Sequence, residues 1–139
     1  LNQCVERMSK FQKVPGIHIC GNTRDRWQEV VDAGVSSFWV DNCESLKELK
    51  ELYGDRIAIS GNLSPVDILK DGTPEEIGEN VKNCILDAAD NPMGYQLCPG
   101  CTTPVGTSAE NMIAFMNAAA TYGKDARKGC MPKGVQQFI

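Results

Sequence analysis

His18 and Cys20 form the pair in this chain best suited to chemistry. They sit in Val14-Pro15-Gly16-Ile17-His18-Ile19-Cys20-Gly21-Asn22-Thr23, where a Pro-Gly step opens a short apolar run and a glycine closes it. Ile17 and Ile19 alternate with His18 and Cys20, which is the pattern of a strand. Side chains two apart on a strand share a face, so the chain's only histidine projects beside a thiol. Imidazole and thiolate both suit zinc, which makes the pair half of a metal site. The same spacing also fits a buried strand that carries one polar pair.

Other groups with chemical potential stand further along. Cys98-Pro99-Gly100-Cys101 is a C-x-x-C step, the spacing of a redox pair or of a two-ligand zinc knuckle. Asp41-Asn42 ends a second apolar run; either residue can orient His18 through its second ring nitrogen or cap the helix that follows. Gly61-Asn62 reads as a tight turn with a left-handed residue or as a place where an amide faces substrate. Asp41 and Asn62 are thus the candidate substrate contacts. Cys4, Cys43, Cys84 and Cys130 read as core or surface thiols, and Trp27, Trp39, Phe115 and the methionines as packing between helices and sheet.

The elements that must position these groups alternate along the chain. Val5, Met8 and Phe11 are spaced as on a helix. After the first strand, Thr23 is placed to cap a helix with Trp27, Val30 and Val31 on its apolar side and Gly34 as a left-handed stop. Ser36 to Asp41 reads as a strand, and Leu46, Leu49 and Leu52 as a helix closed by Gly54. Arg56 to Ser60 reads as a third strand running into the Gly61-Asn62-Leu63-Ser64-Pro65 turn, with a single helical turn over Val66 to Leu69. Thr73-Pro74-Glu75-Glu76 is a capping box with proline at the first helical position. Gly94 to Cys98 reads as a fourth strand, and Ser108 caps a last apolar helix. Residues 123–139 read as a loose tail, with Val135 to Ile139 available to pack on something.

Four strand-then-helix units without a hairpin signal imply parallel strands joined by right-handed crossovers. His18, Cys20, Asp41, Asn42, Asn62 and Cys101 then all fall at or just past strand C-termini, the rim where parallel α/β folds place ligands. Four units make half of an eight-stranded barrel, which needs about 250 residues. The expectation is one domain over 1–139, with the βα units in 14–122.

Composition narrows the class of partner. The 139 residues are 42% hydrophobic and 23% charged with a net charge of -4, a globular balance. No basic run is long enough to track phosphates, which argues against nucleic acid. No apolar run approaches the roughly 20 residues that cross a bilayer, so the expected location is the cytoplasm. Seven cysteines, an odd and scattered set, fit reduced thiols better than a disulfide framework.

His18-Ile19-Cys20-Gly21-Asn22, Gly61-Asn62-Leu63-Ser64-Pro65 and Gly100-Cys101-Thr102-Thr103-Pro104 with Ser108-Ala109-Glu110-Asn111 following, in that order, resemble the C-terminal half of the uroporphyrinogen decarboxylase superfamily. Within it they are most similar to the zinc-dependent methylcobalamin:coenzyme M methyltransferase branch. The resemblance implies the C-terminal half of a TIM (β/α)8 barrel. It implies zinc held by His18, Cys20 and Cys101, with Cys98 as the alternative third ligand. It also implies a corrinoid, methylcobalamin, as methyl donor, free or on a corrinoid protein, and a small thiol as acceptor. The porphyrin decarboxylases carry a histidine where Cys101 stands and do not carry the H-x-C pair. The superfamily's usual Gly-Asn-x-Asp-Pro step has Ser64 in place of its aspartate. Porphyrin carboxy-lyase activity and a non-catalytic half-barrel are the alternatives. Half a barrel leaves two sheet edges to pair, so a homodimer or an N-terminal half-barrel is the expected partner, and the chain alone is expected to be incomplete for catalysis.

Overall fold

The computed structural model describes all 139 residues. A leading helix, α1 (Asn2–Ser9), precedes the strands β1 (Gly16–Ile19), β2 (Ser37–Val40), β3 (Ala58–Leu63) and β4 (Tyr95–Pro99). The connecting helices are α2 (Trp27–Asp32), α3 (Leu46–Tyr53) and α4 (Pro74–Ala88), and α5 (Ala109–Tyr122) follows β4. The sheet order is β1-β2-β3-β4 and every pairing is parallel. This is the expected half of a β/α barrel.

Register sorts the sheet into two kinds of row. Ile17, Phe38, Ile59 and Tyr95 stand side by side across the four strands, and so do His18, Trp39, Ser60 and Gln96. The first row faces the helices. Phe38 and Leu49 of α3 are fully buried there, each stabilising by about 2 kcal/mol through burial alone. A second cluster joins Leu63, Ile77, Val81, Phe115 and Val135 between α4, α5 and the end of the chain. The other row faces the concave side. There, with Gly16, Ser37 and Cys98, it lines a cavity of about 380 Å³. Barrel interiors are usually filled by bulky branched residues; small and polar ones leave room.

Helix starts follow the sequence in two places and depart from it in two. Thr73 and Glu76 exchange the reciprocal bonds of a capping box, and Ser108 caps α5. The cap of α3 is Ser45, not Asp41 or Asn42, which lie before the residue that starts the helix. Thr23 was expected to cap α2 but makes no cap bond. Its backbone N–H and its hydroxyl both donate to the buried Glu44 carboxylate. A buried carboxylate without donors is costly, and it draws both groups away; residues 24–26 form a 3-10 turn instead, and α2 begins at Trp27.

One further expectation is corrected. Gly61-Asn62 is strand rather than turn: β3 continues to Leu63 and pairs Gly61 with Leu97, Asn62 with Cys98 and Leu63 with Pro99. Gly61 has φ +135, and a Cβ there would lie 2.9 Å from the Val40 carbonyl oxygen, so only glycine lets β3 run on beside β2. A six-residue π-helical turn, Pro65–Lys70, follows. The end of the tail packs, as the sequence allowed: a 3-10 helix over Lys133–Phe138 buries Val135 completely and sets Phe138 edge-on to Tyr122.

Candidate metal centre

Three donors meet at the C-terminal rim of the sheet. His18 is on β1, Cys20 follows one residue after β1 ends, and Cys101 lies two residues past β4. Their ligand atoms all fall within 4.8 Å of one another. The His18 Nε2 is 3.2 Å from the Cys20 sulfur, and the two sulfurs are 3.6 Å apart. A tetrahedral zinc with Zn–S bonds of about 2.3 Å sets its two sulfurs about 3.7 Å apart. The donor set and the spacing fit that ion.

The imidazole is oriented by backbone. His18 Nδ1 lies 3.0 Å from the Trp39 carbonyl oxygen. A carbonyl only accepts, so Nδ1 carries the hydrogen, and in the neutral ring Nε2 then presents its lone pair toward the sulfurs. This replaces the expectation that Asp41 or Asn42 orients the ring. The indole of Trp39 lies against the imidazole with centroids 4.0 Å apart. Trp39 is therefore on the concave face and not in the helix–sheet core, where Trp27 and Phe115 do lie.

The two thiols have opposite tendencies. Cys101 is lowered to about 7, first by hydrogen bonding with the His18 ring, then by the Thr102 backbone and the Cys20 thiol. Cys20 is raised, chiefly because it shares its hydrogen with Cys101. Without a metal, the proton given up by Cys101 is shared with the His18 ring; Nε2 and the two sulfurs are the donors a cation would take in its place. Cys98 is not in the cluster; it lines the cavity below, and burial raises its thiol to about 11.

Residues 41–45 hold the three parts of the rim together. Asp41 accepts from the Gly21 N–H at 2.8 Å, just past Cys20, and from the Cys43 N–H at 3.2 Å. Burial pushes its carboxyl up, but these donors outweigh that effect and hold it below the usual range. The Asn62 amide donates to the carbonyls of Asp41 and Glu44, at 3.1 and 2.7 Å. A Cβ on Gly100 would lie 2.5 Å from the Asn42 nitrogen, so the chain leading into Cys101 is pressed against the same loop. Asp41 and Asn62, read as substrate contacts, also brace the rim. Sequence reasoning missed the buried Glu44, Gly100 and the placement of Trp39. The one available signal was strand alternation, which sets Trp39 on the same side as Asp41 and Ser37.

Residues 1–122 match the uroporphyrinogen decarboxylase (URO-D) family. The chain belongs to that family. Among uroporphyrinogen decarboxylase relatives, it is 33% identical over 118 residues to a methylcobamide:CoM methyltransferase of Methanosarcina acetivorans, a match covering 85% of this chain and 33% of that protein. It is 27% identical over 113 residues to a methylated-thiol–coenzyme M methyltransferase of Methanosarcina mazei, covering 81% of this chain and 29% of that one. A solved methyltransferase from Methanosarcina mazei superposes with a TM-score of 0.73 at 27% identity, over 89% of this chain and 36% of its own. The chain spans about a third of the length of the curated relatives it matches. The relatives are methyltransferases, and the four parallel βα units are shared with the solved one.

Proposed function

We propose that this chain is the metal-holding part of a corrinoid-dependent methyltransferase: His18, Cys20 and Cys101 ligate zinc, and a small thiol is methylated from methylcobalamin, free or on a corrinoid protein. The observation that supports it most is the convergence of one imidazole and two thiols within 4.8 Å at the strand ends. The names of the relatives supply the donor and acceptor classes. The thiol of Cys101, at the position where the porphyrin-decarboxylase pattern has histidine, favours this reading over a carboxy-lyase.

When bound, zinc favours the thiolate form of an incoming thiol over the thiol. The protein's residues prepare that state. His18 offers Nε2 because its Nδ1 hydrogen is held by Trp39. Cys101 releases its proton near neutrality. His18, Cys20 and Cys101 would hold the ion with two anionic sulfurs and one neutral nitrogen, a ligand set of the catalytic rather than the structural kind that would supply activation of a thiol. Asp41 and Asn62 stand at the rim as the residues we assign to substrate contact, Asp41 through carboxylate lone pairs beyond those used by Gly21 and Cys43. The open edges of β1 and β4 call for the rest of the barrel, from an N-terminal half or a second copy. A cytoplasmic location is part of this proposal; all seven cysteines are free, as the reading requires of its ligands.

Metal analysis of protein purified without chelators tests the core of this reading. About one zinc per chain, lost in Cys101→Ala, is expected. Protein without zinc that also takes up none on titration overturns it. Methylation of a panel of thiols by methylcobalamin, with the barrel-completing partner present, then tests the transfer.

A further inference from the structure

We propose that Trp39 is the positioning residue that joins the two halves of the metal centre. The proposal rests on reading His18, Cys20 and Cys101 as ligands. Those ligands come from β1 and β4, the opposite edges of the sheet, which exchange no ladder hydrogen bonds. Something other than strand pairing must therefore set the distance between Cys20 and Cys101.

Trp39, on β2, is bonded to both sides. Its carbonyl accepts from His18 Nδ1 at 3.0 Å, and its indole lies on the imidazole face with centroids 4.0 Å apart and planes 31° apart. Its indole N–H reaches over β3 and donates to the Pro99 carbonyl at 2.8 Å, 60 residues away. Pro99 ends β4, two residues before Cys101. One side chain thus fixes the ring plane of a ligand from one edge and the backbone that delivers a ligand from the other. Such a bond is not an automatic consequence of having an indole in this fold, since the Trp27 indole N–H is buried without any partner. Because Trp39 is only partly buried and outside both core clusters, changing it spares the packing that holds the sheet to its helices.

Two measurements on the full chain decide it, comparing wild type with Trp39→Phe and with Trp39 replaced by 3-benzothienylalanine. The second keeps the indole's shape and lacks only the N–H. In the metal-free chain, diamide takes two hydrogens from the Cys20 and Cys101 thiols, is reduced to the hydrazine and leaves a disulfide, which peptide mapping follows. Loss of the Pro99 bond is expected to slow that closure roughly fivefold, the worth of one hydrogen bond. On titration with Co²⁺, both variants are expected to bind about tenfold more weakly, with weaker sulfur-to-cobalt charge-transfer absorption as Cys101 leaves the coordination sphere and an unchanged thermal midpoint. Wild-type disulfide rates in both variants overturn the proposal, and so does unchanged charge-transfer absorption. If wild type itself binds no Co²⁺, the ligand reading fails, and the metal-free closure rate still decides whether Trp39 sets the approach of the two sulfurs.

Discussion

Cys20 and Cys101 touch, yet only Cys101 is poised to be a thiolate at neutral pH. Its value of about 7 predicts that, in metal-free protein, iodoacetamide labels Cys101 first. The rate should rise about tenfold per pH unit below 7 and level off above it, because only the thiolate reacts. Cys84 and Cys98, each raised to about 11 by burial, should label last, and peptide mapping across a pH series checks the order. Gly100→Ala pushes a methyl group against the Asn42 backbone and should cost about 1–3 kcal/mol. A urea melt reads that loss, and a lower zinc affinity should accompany it. Residue types and spacing made His18 and Cys20 legible as a pair, because a strand's period of two is strict. Trp39 was missed, since an aromatic side chain suits the helix-facing side of a sheet as well as the concave one; its alternation with Asp41 was the one local sign, and the pairing of β1 with β2 sets it beside His18.

Caps and turns were legible where their partners are local. The Thr73–Glu76 box closes within three residues. Thr23 failed as a cap because its partner, Glu44, comes from 21 residues away, and distant carboxylates leave no mark on local spacing. The end of β3 was hidden for a related reason: Gly61-Asn62 has the composition of a turn, and its strand pairing is with β4, more than 30 residues on. Thr73→Ala should cost about 1 kcal/mol. Asn111→Ala should cost more, about 1–3 kcal/mol, because its buried amide serves the carbonyls of Leu69, Lys70 and Gly72 at 3.0 to 3.1 Å and so ties α5 to the turn before α4. Denaturant midpoints of the two variants, taken together, check the ranking.

For the molecule as a whole, four parallel units and their helices were readable from the alternation of apolar runs and caps, while the roll of the sheet was not. That roll leaves β1 and β4 each with one unpaired side. Amide hydrogen exchange should therefore be faster on β1 and β4 than on β2 and β3, and a partner that completes the barrel should slow the outer two selectively. The same curvature has a consequence for measurement. Cys20 and Cys101 follow the two edge strands, β1 and β4, which are not paired with each other, so a slight flattening of the sheet separates the sulfurs before any ladder bond breaks. Affinity for a thiophilic ion becomes a strain gauge for the whole scaffold, reporting in a titration curve how tightly the arc is drawn.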